Sequence, residues 1–372
     1  MKIAFITPFP PYRGGISKHS ENLYFQLKKN NSIKVFNFKK QYPDFLFPGK
    51  TQYLENYNSN LYDSDRTINS INPLTWQSTA KKIINGGYDK VLIRFWHPFF
   101  APAYISICKK IRNSNKNIKI YAICDNILPH EPFIFQNRLI KKFIDSIDMS
   151  IVMSDQVEND FKAISNKRYE KLFLPILNDL KPIIPQTDAR ELLNIENEKL
   201  TFLFFGLIRK YKGLDIFLNA VNKLEKNISD KINILIVGEC YENYEKYKKI
   251  CQNSNISIKW FNEYIPDDKI NIYFSASDYV VLPYRSASQS GIIPMAYHYN
   301  LPVIISNLDS LKKNVINNKT GLIFENENYN QLSKIISDIT MNKISNDYNY
   351  IKEYKNNFTT KIFVEKLISL MK

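Results

Sequence analysis

Short apolar runs recur along the whole chain, separated by stretches whose apolar positions return every three or four residues. In the first half the runs fall at 2–7, 33–38, 90–95, 118–123 and 149–153, and helical spacing falls at 17–27, 101–112 and 135–144. Consecutive apolar positions suit strands covered on both faces, and amphipathic stretches between them suit crossover helices. This alternation predicts an α/β fold built on a mostly parallel, doubly wound sheet. An extended stretch with three prolines, 172–185, then reads as a hinge. Beyond it the pattern restarts, with strands at 200–205, 232–237, 256–260, 278–282 and 302–305. Helices are expected at 214–226, 244–252, 267–275 and from about 329 onward. Two successive Rossmann-like domains are therefore predicted, in keeping with 372 residues and with the tendency of single cores to stop growing near 250–300 residues.

Glycine is scarce. The chain holds 10, where average usage gives about 26, so those present are expected where backbone geometry demands them. Most follow apolar runs, at the strand ends where open α/β sheets bind ligands. Gly14-Gly15 lies between a run and a helix, an arrangement that presents amide groups and a helix N-terminus to an anion. It is not a GxGxxG motif, and a dinucleotide cofactor is disfavoured. Gly206-Leu207-Ile208-Arg209-Lys210-Tyr211-Lys212-Gly213 puts cations in a strand-to-helix loop, where Arg forks onto phosphate oxygens and Lys acts as a point charge. Tyr284-Arg285-Ser286-Ala287-Ser288-Gln289-Ser290-Gly291-Ile292 adds hydroxyls, an amide and a glycine directly after another strand. Ordinary turns and a solvated charge run are the alternatives.

Net charge of +15 suits a phosphorylated small molecule, an anionic lipid surface or nucleic acid, against a background rich in Asn, Lys and Ile. No Arg-rich tract or aromatic RNA-binding motif accompanies the charge, so no nucleic-acid partner is expected. The cysteines Cys108, Cys124, Cys240 and Cys251 form no CxxC and no metal-type spacing with histidine, which argues against structural zinc and for a reducing compartment. Neither a signal peptide nor a spanning segment of roughly 20 apolar residues is expected. Residues 42–51, aromatic and proline-rich, read either as a surface for a glycan or lipid or as a loop folded on its own side chains.

Taken together these segments resemble glycosyltransferase family 4, from end to end. Residues 8–17 resemble its glycine loop and 204–215 its Arg/Lys donor-phosphate motif. Val237-Gly238-Glu239 resembles the next strand end, and Tyr264-Ile265-Pro266 through 278–283 the approach to the signature helix. Residues 300–305 resemble the usual GLPVI strand, and Thr320-Gly321-Leu322-Ile323-Phe324 the TGLLF turn. One departure stands out. The family's Glu-x7-Glu signature falls on 286–295, where this chain has no glutamate and resembles instead a branch with Gln289-Ser290-Gly291.

The resemblance implies a GT-B fold: two Rossmann-like doubly wound domains facing each other across a cleft. Residues 1–178 would form the acceptor-side domain and 179–359 the nucleotide-sugar domain, with 360–372 a helix crossing back to the first. It implies retaining transfer from a UDP- or GDP-linked sugar, without metal or cofactor, and no DxD motif is found. Donor contacts would come from Gly14, Gly15, Arg209, Lys212, Gly238, Ile265, Gln289, Ser290, Gly291 and Ile292. The loop after residues 118–123 commonly supplies a histidine near the transferred sugar, which makes His130, Glu131 and Asp125 the catalytic candidates, with Asn126 another in the same loop. His97 is a lesser candidate, and His19 and His298 read as packing residues. The expected acceptor is a glycan, lipid-linked, in surface polysaccharide synthesis on the cytoplasmic face of the plasma membrane. A sugar-nucleotide epimerase of the same fold and a non-catalytic basic nucleotide-binding module are the competing readings. The first needs acid/base carboxylates that the Gln-Ser-Gly site does not offer.

Overall fold

In the computed structural model the chain is described over residues 1–42, 52–54, 57–129, 134–251, 256–344 and 347–372. It divides into two units, Met1–Leu177 with Thr360–Lys372, and Asn178–Thr359.

The first unit is built on β1 (Lys2–Ile6), β2 (Ser32–Lys40), β3 (Ser64–Asn69), β4 (Lys90–Phe95), β5 (Lys119–Cys124), β6 (Met149–Val152) and β7 (Tyr169–Lys171). Their order is β3-β2-β1-β4-β5-β6-β7, and every neighbouring pair is parallel. Apolar side chains cover both faces. On one, Ile6, Phe38, Ile93, Phe95 and Phe143 pack with the helix Ala101–Ser114; on the other, Phe5, Leu92, Leu23, Leu367 and Met371 pack together. The last two belong to the helix Thr360–Met371, which lies against the helix Gly15–Lys28. Thr360 Oγ1 donates to the Ile176 carbonyl at 2.6 Å, which fixes the start of that helix within this unit.

The second unit repeats the plan with β8 (Leu200–Phe205), β9 (Ile232–Val237), β10 (Ser257–Phe261), β11 (Tyr279–Leu282), β12 (Val303–Ser306) and β13 (Gly321–Phe324). The order is β10-β9-β8-β11-β12-β13, again all parallel. All six residues of β9 are buried, as a strand covered by helices on both faces must be. Each unit therefore reverses its winding beside its first strand, between β1 and β4 and between β8 and β11. Ligands of open α/β sheets bind at such reversals, outside the carboxyl ends of the strands. The two Rossmann-like sheets are those of the GT-B fold.

Several elements depart from the sequence expectation, among them the helices Asp155–Ile164 and Gln186–Leu193 and the strand β7, and three more show why. β3 reads Ser-Asp-Arg-Thr-Ile-Asn with only Ile68 fully buried, so an edge strand carried no apolar run to detect. The helix Pro73–Asn85 starts on an Asn72 cap, whose side-chain oxygen accepts from the Leu74 amide, and its apolar face is short. Within residues 320–324, expected as a turn, Gly321–Phe324 instead form β13, pairing Gly321 with Val303.

A charged pair lies inside the first sheet. Arg94, in β4, donates from Nε and Nη2 to the two carboxylate oxygens of Asp125, each at 2.7 Å, with 3% and 4% of these residues exposed. Tyr104 donates to the Arg94 carbonyl at 3.2 Å. Breaking a buried pair by removing one partner leaves an uncompensated charge, at about 3–5 kcal/mol. Asp125→Ala should therefore lower unfolding free energy by about that amount in urea melts. The double variant Arg94→Met/Asp125→Leu, apolar on both sides, should lose much less. A single variant with an unchanged midpoint would show that the pair does not support the sheet.

Candidate donor-binding site

The reversal between β8 and β11 brings two loops together. The first leaves β8 at Gly206 and passes through a single 3-10 turn, Lys210–Lys212, to Gly213. The second leaves β11 through Pro283, Tyr284 and Arg285. Gly213 has φ +66°, and a Cβ placed there would lie 1.9 Å from the Pro283 carbonyl oxygen. Only glycine permits the two loops to approach so closely. Gly238, ending β9 with φ +139°, does the same beside the Gly206 carbonyl, 2.2 Å from its would-be Cβ.

Lys212 sits in the corner this makes. Its Nζ is 2.8 Å from where a Cβ on Gly206 would be and 5.7 Å from the Tyr284 ring centroid. No carboxylate partners it among the described residues. Burial, and after it the charge of Arg209, lower its pKa to about 8, because both oppose the ammonium form. Arg209 is exposed, its guanidinium 5.1 Å from the Tyr241 ring centroid. It too has no carboxylate partner among the described residues. Two cations left without acids, one of them desolvated, make a site that gains from a bound anion.

Arg285 holds the cationic loop in this shape. Its Nη1 and Nη2 meet the two Asp215 oxygens at 2.8 and 2.7 Å, Nη1 also donates to the Lys210 carbonyl at 2.9 Å, and Nε reaches Glu327 at 2.6 Å. The Arg285 amide donates to the Tyr211 carbonyl at 2.7 Å. Arg285 is thus paired with carboxylates, while Arg209 and Lys212 are not.

The Gln-Ser-Gly turn stands beside this corner. Ile292 Cδ1 lies 3.8 Å from the would-be Cβ of Gly206. The Ser290 hydroxyl, buried, accepts from the Ile292 amide at 3.2 Å and hydrogen-bonds with Tyr284, whose own pKa burial pushes up.

Residues 185–358, almost all of this unit, match the family model described as glycosyl transferases group 1. An uncharacterized 41.2 kDa protein in the cps region of Klebsiella pneumoniae is 24% identical over 163 residues, 44% of this chain and 43% of that one. The chain thus spans less than half of that relative. An uncharacterized glycosyltransferase of Methanocaldococcus jannaschii is 21% identical over 92% of this chain and 89% of its own length. Among solved structures, the Anabaena protein HepE in complex with UDP superposes with a TM-score of 0.76 at 14% identity, covering 100% of this chain and 99% of that one. The second unit thus carries a stretch that matches the glycosyl transferases group 1 model, and the chain has the fold of the solved protein.

Of the residues singled out from sequence, the fold brings Lys212, Ser290 and Ile292 together around Gly206, with Gly238 packed on Gly206 and Arg209 three residues along the loop. Gln289 is half-buried in the same turn. Gly291 has φ −69°, open to any residue, so the backbone does not demand glycine there, contrary to expectation. Ile265 is buried after β10, two strands away from β8. Gly14 has φ +115° and Gly15 opens the helix Gly15–Lys28, both exposed. Asp125, expected as a catalytic group, has both carboxylate oxygens hydrogen-bonded by Arg94. His130 and Glu131, and 43–51 of the aromatic loop, lie outside the described residues. His97 accepts the Phe99 amide at 3.1 Å and caps a short turn. Burial and the Arg94 charge hold His19 down to about 3, leaving it neutral. Tyr284 and the Arg285–Asp215 pair were missed, although the acid stood in one cationic motif and the arginine in the next.

Arg285→Ala should weaken binding of a nucleoside diphosphate about tenfold by freeing the loop, and Asp215→Ala should do the same without a further loss in the double variant. Additive losses in calorimetry would refute a shared strut. Lys212 makes a second prediction. Its ammonium form falls away above pH 8, so affinity for a nucleoside diphosphate should decline by up to tenfold per unit beyond that point. The Lys212→Met enzyme should bind more weakly and show no such decline. A folded-state pKa depressed below the unfolded value of about 10.4 also means that this lysine opposes folding below pH 8, an effect relieved between about 8 and 10.4. At neutral pH the ligand-free methionine variant should therefore melt no lower than the parent. A melt several degrees lower would show the lysine to be structural.

Proposed function

We propose that this protein is a glycosyltransferase that moves a hexosyl group, with retention, from a nucleotide-sugar donor to a glycan acceptor during surface polysaccharide synthesis. The observation that carries the donor half is the pair of acid-free cations, Arg209 and Lys212, at the β8–β11 reversal. When the glycosyl C–O bond breaks, the diphosphate leaves with the bonding pair, and negative charge grows on the oxygen facing those cations. Fixed charges aimed where charge develops lower the barrier most. A UDP-linked donor is favoured by the likeness to a protein solved with UDP. A bacterial surface glycan is favoured by the relative from a cps region.

Gly14, Gly15, Gly238, Ile265, Gln289, Ser290, Gly291 and Ile292 are proposed to complete the donor contacts. Gly14 and Gly15 supply amides at the start of a 14-residue helix, where anions are stabilised. His130 and Glu131, following β5, are proposed on the sugar side. Retention requires the acceptor oxygen to bond the anomeric carbon on the face the diphosphate leaves. The departing phosphate oxygen is then the nearest base for the acceptor proton. A lipid-linked acceptor at the cytoplasmic membrane face accords with +15 net charge, and no helix among the described residues is long and apolar enough to cross a membrane.

A thermal-shift panel of nucleotides should single out one base, because a ligand bound only to the native state raises its melting temperature. Arg209→Ala should weaken that nucleotide by about 1.5–3 kcal/mol, the scale of hydrogen bonds to charged groups. Transfer should continue at the same rate in chelator, since side chains rather than a metal are proposed to meet the phosphate charge. Loss of transfer on chelation, restored by manganese, would sink that mechanism. Unchanged affinity in both Arg209→Ala and Lys212→Ala would remove the donor assignment.

A further inference from the structure

The first unit carries a surface that the donor chemistry does not use. The helix Gln136–Asp145 buries Ile140, Phe143 and Ile144 against its own sheet. Its opposite face shows Arg138, Lys141 and Lys142 to solvent. None of the three has a carboxylate or other polar partner among the described residues. The helix Ala101–Ser114 lies alongside and adds Lys109, exposed, and Lys110, half-exposed, likewise unpaired. Among the described residues, most nearby acids do not cancel this charge. Glu158 and Asp155 on the helix Asp155–Ile164 are taken by Lys162 and Lys171, and Asp148 by Arg112. Asp145 is the one exposed carboxylate on the basic helix itself.

Directly before this helix stand Ile134, 79% exposed, and Phe135, 74% exposed. Phe135 has φ +67°, a left-handed conformation that a bulky aromatic rarely adopts. Its carbonyl accepts the Leu139 amide at 3.2 Å and so starts the helix, but the exposed ring adds no burial to the unit, and such outliers point to function.

We propose that Ile134, Phe135, Arg138, Lys141 and Lys142 form a docking surface for an anionic lipid bilayer. This rests on the reading of the protein as a membrane-face enzyme and names the surface responsible. Two exposed apolar side chains next to an unpaired basic face suit a lipid interface, where rings enter the headgroup layer and cations meet anionic headgroups. Nucleic acid would use the cations but leave Ile134 and Phe135 without a role.

The test is sedimentation of the full chain with vesicles of phosphatidylcholine alone or with 30% phosphatidylglycerol (a composition of roughly this charge suits the assay). Arg138→Gln/Lys141→Gln/Lys142→Gln should lower the partition coefficient onto anionic vesicles at least tenfold, since each cation contributes about fivefold. Phe135→Ser should lower it several-fold, with a loss that persists at high salt, where screening has weakened the charges. Lys226→Gln/Lys231→Gln/Lys249→Gln, exposed cations of the second unit, remove the same charge and should change it less than twofold. All variants should keep the parent's nucleotide affinity, which shows that they fold. Equal losses from the two triple variants would overturn the proposal in favour of diffuse charge. So would full binding by Phe135→Ser, or tighter binding to a short single-stranded oligonucleotide than to vesicles. A parent chain that binds no vesicle at all would instead defeat the membrane-face reading on which the proposal rests.

Discussion

The corner proposed to hold the donor depends on one steric constraint, the closeness of two loops at the β8–β11 reversal. Gly213 lies against the Pro283 carbonyl with no room for a side chain. Because the loops touch there, Arg285 of one can reach Asp215 and the Lys210 carbonyl of the other. Because Arg285 takes those acceptors, the acid nearest the cationic loop is already neutralised. Lys212 and Arg209 are then left for an outside anion. Spacing comes first, ion pairing second, and the vacancy in charge third.

That chain of dependence explains why the strands were legible in the sequence and the site only in part. β8, β9 and β11 are apolar on consecutive positions, since both faces are covered, and such runs can be read without any tertiary information. The edge strand β3 has one covered position and a polar remainder, so periodicity could not reveal it. Residues 320–324 looked like a turn because Thr-Gly is turn chemistry. Pairing with β12 overrode that local preference. The helix Pro73–Asn85 announced itself only through Asn72-Pro73, a start signal with little apolar stripe behind it.

For the site, sequence motifs located the loops but could not divide the cations by role. Arg209, Lys210, Lys212 and Arg285 are equivalent as letters. The structure separates them by what each meets: carboxylates for Arg285, an aromatic ring and open solvent for Arg209, burial for Lys212. Asp125 shows the same limit from the other side. Its position after β5 made it a candidate for chemistry, but Arg94 lies on the neighbouring strand and claims both of its oxygens. Partners 31 residues apart are set by strand order, which a linear reading does not supply.

The missing glutamates of the signature segment acquire a physical meaning in this setting. A carboxylate in this segment would add negative charge to a turn that stands beside Gly206 and Lys212. The chain has instead a hydroxyl at Ser290, already bonded to the Ile292 amide and to Tyr284, which rigidifies the turn without adding negative charge. Lys212 is left with burial and a neighbouring cation, both opposing its charge, and with nothing on the protein to relieve them. On the donor reading proposed above, a bound diphosphate would supply that relief, and it would be lost again when the charge on it falls or the lysine deprotonates.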